Sequence, residues 1–148
     1  MISIKQINEK DIELCCELDS KTISLWSKKQ WANEFKKDGT TIFGLLIANL
    51  LIGVCVFQVV LDEAQINYFV VDQKFRKKGF GSFLMSYLIK QCENLKLNKL
   101  LLEVSESNVI AESFYNRFDF FTVGIRKSYY KDGSDGILKE KKINNQII

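Results

Sequence analysis

The run Arg76-Lys77-Lys78-Gly79-Phe80-Gly81-Ser82 sets three adjacent cations and two glycines between an apolar strand pattern and a long amphipathic helix pattern. A helix N-terminus offers N–H groups without intrahelical acceptors and the positive end of the dipole, and glycine lets the backbone approach a ligand closely. With the cations added, the natural ligand of such a segment is a pyrophosphate; the plainer reading is a turn carrying a solvated basic run. Spacing excludes two common nucleotide motifs. There is no Gly-x-x-x-x-Gly-Lys-Ser/Thr loop, and Leu84 stands where a dinucleotide fingerprint needs its third glycine.

A second constellation centres on Glu103 in Leu100-Leu101-Leu102-Glu103-Val104-Ser105, followed by Ser107-Asn108 and Tyr115. Strand alternation puts Leu101, Glu103 and Ser105 on one face and Leu100, Leu102 and Val104 on the other. A carboxylate inside a buried strand is either paired structurally or functional. The chain has no histidine, which excludes Ser-His-Asp and Cys-His nucleophile systems, His-ligated metal sites and an imidazole base. The chemistry therefore rests on carboxylates, Tyr, Lys, Cys or the backbone.

The elements that must position these residues follow from periodicity. Ile2, Ile4 and Ile7 mark an opening strand, and Asp11–Asp19 carries Ile12, Cys15, Cys16 and Leu18 at helical spacing. Ser27 caps a second helix with Trp31 and Phe35 on its apolar face. From Ile42 to Leu61 twenty residues run without a charge, long enough to span a bilayer. Gly44, Asn49, Gly53 and Gln58 interrupt the run, and its two β-branched and aromatic blocks flank Ala48-Asn49, so it reads as a buried hairpin. A turn at Asp62-Glu63 leads to a strand over 65–71. A helix over 81–95, a strand over 100–105, a helix over 108–118 and strands over 120–127 and 137–142 complete the order β α α β β β α β α β β. That order implies α/β architecture on one mixed sheet in a single domain spanning 1–148, with 143–148 as a frayed tail.

Composition supports a folded chain: of 148 residues, 47% are hydrophobic and 26% charged. The net charge of +3 is too mild to argue for nucleic acid. Cys15, Cys16, Cys55 and Cys92 show no Cys-x-x-Cys spacing and read as small hydrophobes of a reducing compartment. Residues 1–9 lack the pattern of a signal peptide. A cytoplasmic protein is expected, without metal or membrane association.

Arg76-x-x-Gly79-x-Gly81 behind Val70-Val71-Asp72 resembles the acetyl-CoA signature of the GCN5-related N-acetyltransferase (GNAT) superfamily, and the order of elements agrees along nearly the whole chain. Within it the chain is similar to the branch of bacterial ribosomal-protein alanine N-acetyltransferases, through Trp26-Ser27, Val59-Val60-Leu61-Asp62-Glu63-Ala64, Leu102-Glu103-Val104, Arg126-x-x-Tyr129-Tyr130 and Asp132-Gly133-x-Asp135. The resemblance implies a GNAT fold, a mixed sheet of six to seven strands flanked by about four helices. It implies acetyl-CoA as co-substrate, with Phe69, Val70 and Val71 holding the acetyl and pantetheine arm by backbone bonds. Arg76, Lys77, Lys78, Gly79, Phe80, Gly81 and Ser82 would cradle the pyrophosphate, and Asn108 would contact the arm further along. Glu103 would be the general base and Tyr115 the general acid, while Trp26, Tyr129, Tyr130 and Asp135 would line the acceptor groove.

The implied partners are acetyl-CoA and a ribosomal-protein N-terminus, with no nucleic acid and no membrane, in a monomer or weak dimer. Two other readings share these residues: a GNAT enzyme acting on a lysine or small amine, and a non-catalytic acetyl-CoA-binding or ribosome-associated module whose basic run meets RNA phosphates. Three departures from the family pattern stand out. Prolines are replaced by Leu25 and Gln73, Asp119 stands where the family has a helix-ending glycine, and the chain closes its motif with Gly136-Ile137-Leu138-Lys139. Aspartate tolerates the left-handed conformation of a helix end less well than glycine.

Overall fold

The computed structural model describes residues 1–143. The elements are β1 (Ile2–Gln6), α1 (Ile12–Ser20), α2 (Lys28–Lys36), β2 (Thr40–Ile47), β3 (Leu50–Val60), β4 (Glu63–Val71), α3 (Phe80–Asn94), β5 (Lys99–Ser105), α4 (Val109–Arg117), β6 (Phe121–Arg126) and β7 (Gly136–Lys142), with short 3-10 turns at Glu9–Asp11 and Gln73–Phe75. The strands hydrogen-bond in the order β1-β2-β3-β4-β5-β7-β6, so the expected mixed α/β sheet has seven strands. Contacts divide the described chain into two compact units, Met1–Val59 with Asn67–Gln91, and Val60–Ile66 with the described residues from Cys92 onward.

In the first unit the uncharged run is the β2–β3 hairpin, closed by Ala48 and Asn49 at φ 47° and 70°. Two successive positive φ angles give the twist that a two-residue hairpin loop needs. Residues 42–46 and 51–57 are buried on both faces, which is why they read as continuous apolar sequence rather than as an alternation. On one face Ile42, Val54, Val56, Tyr68 and Val70 pack against Cys15, Leu18 and Trp31. On the other, Phe43 stacks with Phe57 at 5.6 Å and meets Tyr87 of α3 edge-on at 5.1 Å. Helix α2 begins with a full capping box: Gln30 N–H donates to Ser27 Oγ at 3.2 Å and Ser27 N–H to Gln30 Oε1 at 2.7 Å. No helix among the described residues is long and apolar enough to cross a membrane.

In the second unit β5 pairs along its whole length with β7, from Lys99↔Lys142 to Ser105↔Gly136, and β7 pairs with β6. The first residues of β4 run parallel to β5, Glu63↔Lys99 to Gln65↔Leu101. The turn before β4 lies at Leu61-Asp62, one residue earlier than the polarity of Asp62-Glu63 indicates. Leu61 takes the positive φ of 58° and is 92% exposed, while Glu63 is already in register and reaches Lys99 at 3.4 Å. Ile143, assigned by pattern to the tail, is instead buried, and its N–H donates to Asn98 O at 2.9 Å; the rest of that tail, residues 144–148, lies outside the described residues.

Helix α4 ends in a Schellman motif built on a non-glycine residue. Phe120 N–H donates to Tyr115 O at 3.2 Å, Asp119 N–H to Asn116 O at 3.1 Å, and Asp119 sits at φ 67°. The accompanying apolar contact is present, with Phe120 and Tyr115 rings 5.6 Å apart. The missing glycine therefore costs strain and leaves the geometry intact. Asp119→Gly is expected to stabilise the protein by about 1 kcal/mol, read as a rise in thermal midpoint of a few degrees with the far-UV spectrum unchanged; a fall in midpoint would show that the aspartate contributes something other than strain.

Candidate active site

The candidate residues fall in both units. In the first, β4 ends at Phe69-Val70-Val71, where Val70 and Val71 side chains are buried, so that a ligand would meet mainly backbone here. Asp72 then turns the chain. Its N–H donates to Ile52 O at 2.7 Å, and its carboxylate accepts from Lys74 N–H at 3.1 Å and pairs with Lys21 at 3.2 Å. Burial pushes the Asp72 carboxyl up, but the Lys74 amide and the Lys21 ammonium outweigh it and hold the group below its ordinary value.

The loop that follows is shaped by two left-handed residues, Lys77 at φ 62° and Gly79 at φ 83°. A Cβ on Gly79 would meet nothing within 4 Å, so conformation, not space, selects glycine there. Arg76 Nε donates to Val71 O at 3.1 Å, tying the loop to the strand end, and Lys78 lies over the Phe75 ring at 6.0 Å. Lys74, Arg76, Lys77 and Lys78 are exposed, and α3 starts at Phe80, so its first-turn N–H groups lack intrahelical acceptors and lie beside four cations. This arrangement fits a pyrophosphate.

Trp26 belongs to an aromatic cluster, 4.8 Å from Trp31 and 5.0 Å from Tyr68 between ring centroids. Its segment hangs on Asp19. That carboxylate, 1% exposed, accepts from Leu25 N–H at 3.0 Å, Trp26 N–H at 2.9 Å and the Tyr68 hydroxyl at 2.8 Å. Pattern reading missed Asp19 as a site-forming residue. The available signal was an acidic residue four positions beyond Cys15, on the apolar stripe of α1.

In the second unit, the alternation expected of β5 holds: Leu100, Leu102 and Val104 are buried, and Leu101, Glu103 and Ser105 are half-buried on the other face. Glu103 Oε1 lies 3.6 Å from Arg126 Nε, whereas Oε2 is buried and has no hydrogen-bond partner. Gly136 is packed against that carboxylate so closely that a Cβ would collide with Oε2 and lie 3.4 Å from the Tyr129 ring. Tyr129 and Tyr130 meet edge-on at 5.1 Å, and the Arg126 guanidinium covers Tyr129 at 5.2 Å. Burial, then the nearby Glu103 and Tyr129, push the Tyr130 phenol up against the opposing influence of Arg126, so it stays a hydrogen-bond donor at neutral pH. The structure thus brings Glu103, Arg126, Tyr129 and Tyr130 together around Gly136.

Other candidates also make local structural contacts. Asn108 Oδ1 accepts from Ala111 N–H at 3.1 Å and caps α4. Asp135 accepts from Ser128 N–H at 2.8 Å and Lys127 at 3.4 Å, and donates its own N–H to Glu106 at 2.7 Å, holding the loop that carries both tyrosines. Tyr115 packs between Phe114 at 5.5 Å and Phe120 at 5.6 Å. Among the described residues no cluster of His, Cys, Asp or Glu suits a metal, and the cysteines are all free thiols, with burial pushing Cys15 up to about 12 and Cys92 up to about 11.

A family model described as the acetyltransferase (GNAT) family matches residues 8–120. The chain belongs to the GNAT acetyltransferase family. It is 33% identical over 137 residues to the ribosomal protein bS18-alanine N-acetyltransferase of Haemophilus influenzae, covering 92% of each chain. The acetyltransferase also superposes on the crystal structure of the ribosomal-protein-S18-alanine N-acetyltransferase from Escherichia coli with a TM-score of 0.91 at 28% identity, covering all of both chains. Arabidopsis thaliana NAA60 in complex with acetyl-CoA shares the fold, with a TM-score of 0.85 at 18% identity over 97% and 99% of the two chains.

The pairing of Asp72 makes this GNAT fold sensitive to acid. Because the folded carboxyl titrates below its unfolded counterpart, its stabilisation is fully present above an unfolded value of about 4 and is lost as pH falls through the folded value. Asp72→Asn is expected to lower the thermal midpoint at pH 6 and to flatten its decline between pH 6 and pH 3. Parallel declines in the two proteins would show that other carboxylates carry the acid sensitivity.

Proposed function

We propose that the acetyltransferase transfers acetyl from acetyl-CoA to a protein N-terminal amine, the alanine-initiated N-terminus of ribosomal protein bS18, by direct attack in a ternary complex. The observation that carries the reading is the Glu103 carboxylate, with one buried oxygen that no protein donor satisfies and a protonated Tyr130 nearby. The acceptor is supported by relatives of that name that match most of the chain. Four free cysteines accord with a cytoplasmic enzyme.

The co-substrate brings an already activated thioester. The chain's own residues must therefore bind it, orient the amine, and move two protons. The cations and first-turn N–H groups of Arg76–Ser82 hold the pyrophosphate, and backbone groups of Phe69–Val71 hold the arm, with an N–H near Val71 facing the developing oxyanion. Asn108, its carbonyl spent on the cap, has its amide donors left for the arm. Glu103 Oε2 accepts the proton of the attacking amine. An α-amino group titrates near 8, against about 10.4 for lysine, so one carboxylate suffices without histidine. Tyr115 returns a proton to the leaving sulfur. Trp26, Tyr129, Tyr130 and Asp135 belong to the segments that receive the peptide, the two tyrosines directly and Asp135 by holding their loop.

The test is release of CoA from acetyl-CoA with two peptides: the free alanine-initiated N-terminus of bS18, and the same peptide N-terminally blocked with an internal lysine. Turnover on the first alone is expected, and Glu103→Gln is expected to lower kcat at least about 100-fold with acetyl-CoA affinity unchanged. Turnover on the blocked peptide, or on neither despite tight binding of acetyl-CoA, overturns the assignment in favour of a lysine or small-amine enzyme or a binding module.

A further inference from the structure

Helix α4 carries Tyr115, yet none of its residues is fully buried. Its first two residues, Val109 and Ile110, are 69% and 85% exposed. A helix whose apolar face is so thinly covered needs another anchor to hold a side chain in a fixed place. That anchor is polar. Lys139 of β7 is 2% exposed, and its ammonium lies 2.9 Å from Asn116 Oδ1, 3.2 Å from Thr122 Oγ1 and 3.4 Å from Glu112 Oε2. An ammonium has three N–H donors and here meets three acceptors.

The acceptors are arranged to hold the helix. Glu112 and Asn116 are four residues apart and so share one face of α4, and Tyr115 lies between them in sequence, three residues from Glu112 and adjacent to Asn116. Thr122 extends the attachment to β6. The cation is countered by Glu112, which is itself half-buried, so the buried charge is paired and hydrogen-bonded as burial demands. Methionine would fill nearly the same volume without the donors, so space alone does not call for a lysine.

We propose that Lys139 is a positioning residue for the reaction: it clamps α4 onto β6 and β7 and thereby sets the place of the Tyr115 hydroxyl. The proposal rests on the reading of Tyr115 as the general acid. Lys139→Met should fold, because Glu112 and Asn116 lie near solvent and can be hydrated once the ammonium is gone.

The experiment combines amide hydrogen exchange with a double-mutant cycle of Lys139→Met and Tyr115→Phe, using the alanine-initiated bS18 peptide and acetyl-CoA. In Lys139→Met, exchange over residues 109–117 is expected to quicken while α3 is unchanged. Its kcat should fall about 10-fold with the KM for acetyl-CoA unchanged, the scale expected when a catalytic group is displaced by a fraction of an ångström. Added to Tyr115→Phe, the same substitution should cost nothing further. An equal loss in the Tyr115→Phe background, or unchanged exchange in α4, overturns the proposal. Should Lys139→Met fail to fold, Asn116→Ala, which removes one acceptor and keeps the lysine, enters the same cycle with the same expectations. Full turnover by Tyr115→Phe alone would remove Tyr115 as the acid and the catalytic role of the clamp with it, whereas exchange would still report the attachment of α4, so the two failures are distinguishable.

Discussion

A strand has two faces, and in β5 one of them is fully taken by Leu100, Leu102 and Val104. Burying those three forces Glu103 onto the opposite face, and a shift of one residue would bury the carboxylate among the leucines. Everything around Glu103 in its unit follows from that register. The ladder with β7 sets Ser105 against Gly136, which lays the glycine backbone on the Glu103 carboxylate. One step beyond, Ser134 Oγ reaches Ser105 Oγ at 2.7 Å, and Asp135 gathers Ser128 and Glu106, so the loop bearing Tyr129 and Tyr130 is fastened to the same strand end.

Buried polar groups show how structural and chemical roles separate. Asp19 and Lys139 are fully buried and have three partners each, so both oxygens of the one and the ammonium of the other are engaged in holding a loop and a helix. Glu103 Oε2 is buried and unspent, a costly state for a group with no task. Orphaned burial does not by itself identify a base: Glu34 Oε1 is equally without a partner, with its other oxygen paired to Lys37. What distinguishes Glu103 is its company, a raised tyrosine phenol and a glycine backbone laid against the carboxylate.

The order of the elements was legible because each rests on a local signal: the capping box at Ser27, the Ala48-Asn49 turn and the alternation in β5. The curled loop before α3 was legible for the same reason, since a left-handed glycine and a helix start are local properties of the chain. Two things were hidden. The turn at Leu61-Asp62 was displaced by one residue because pairing of Glu63 with Lys99 overrode the turn preference of Asp62-Glu63, a tertiary term absent from local pattern. Asp19, Gly136 and Lys139 were hidden because their roles lie in contacts with residues distant in the chain, and an acid in a helix, a glycine after a turn and a lysine in an alternating strand look ordinary alone. The local duties of Asn108 and Asp135, a helix cap and a loop, also lie in hydrogen bonds that residue type alone does not disclose.

This division bears on how such a chain can depart from its family and keep its chemistry. Without a proline at Gln73 the turn after β4 is made by Asp72, whose carboxylate accepts from Lys74 N–H and pairs with Lys21. Asp119 in place of glycine likewise keeps the Schellman hydrogen bonds at a modest cost in strain. The ending Gly136-Ile137-Leu138-Lys139 is different, because two of its residues make contacts distant in sequence: Gly136 lies against the Glu103 carboxylate, and Lys139 reaches α4. Change at Gln73 and Asp119 is thus met by local hydrogen bonds, whereas along β7 an added carbon at Gly136 meets the Glu103 carboxylate and a lost ammonium at Lys139 frees three acceptors, Glu112, Asn116 and Thr122.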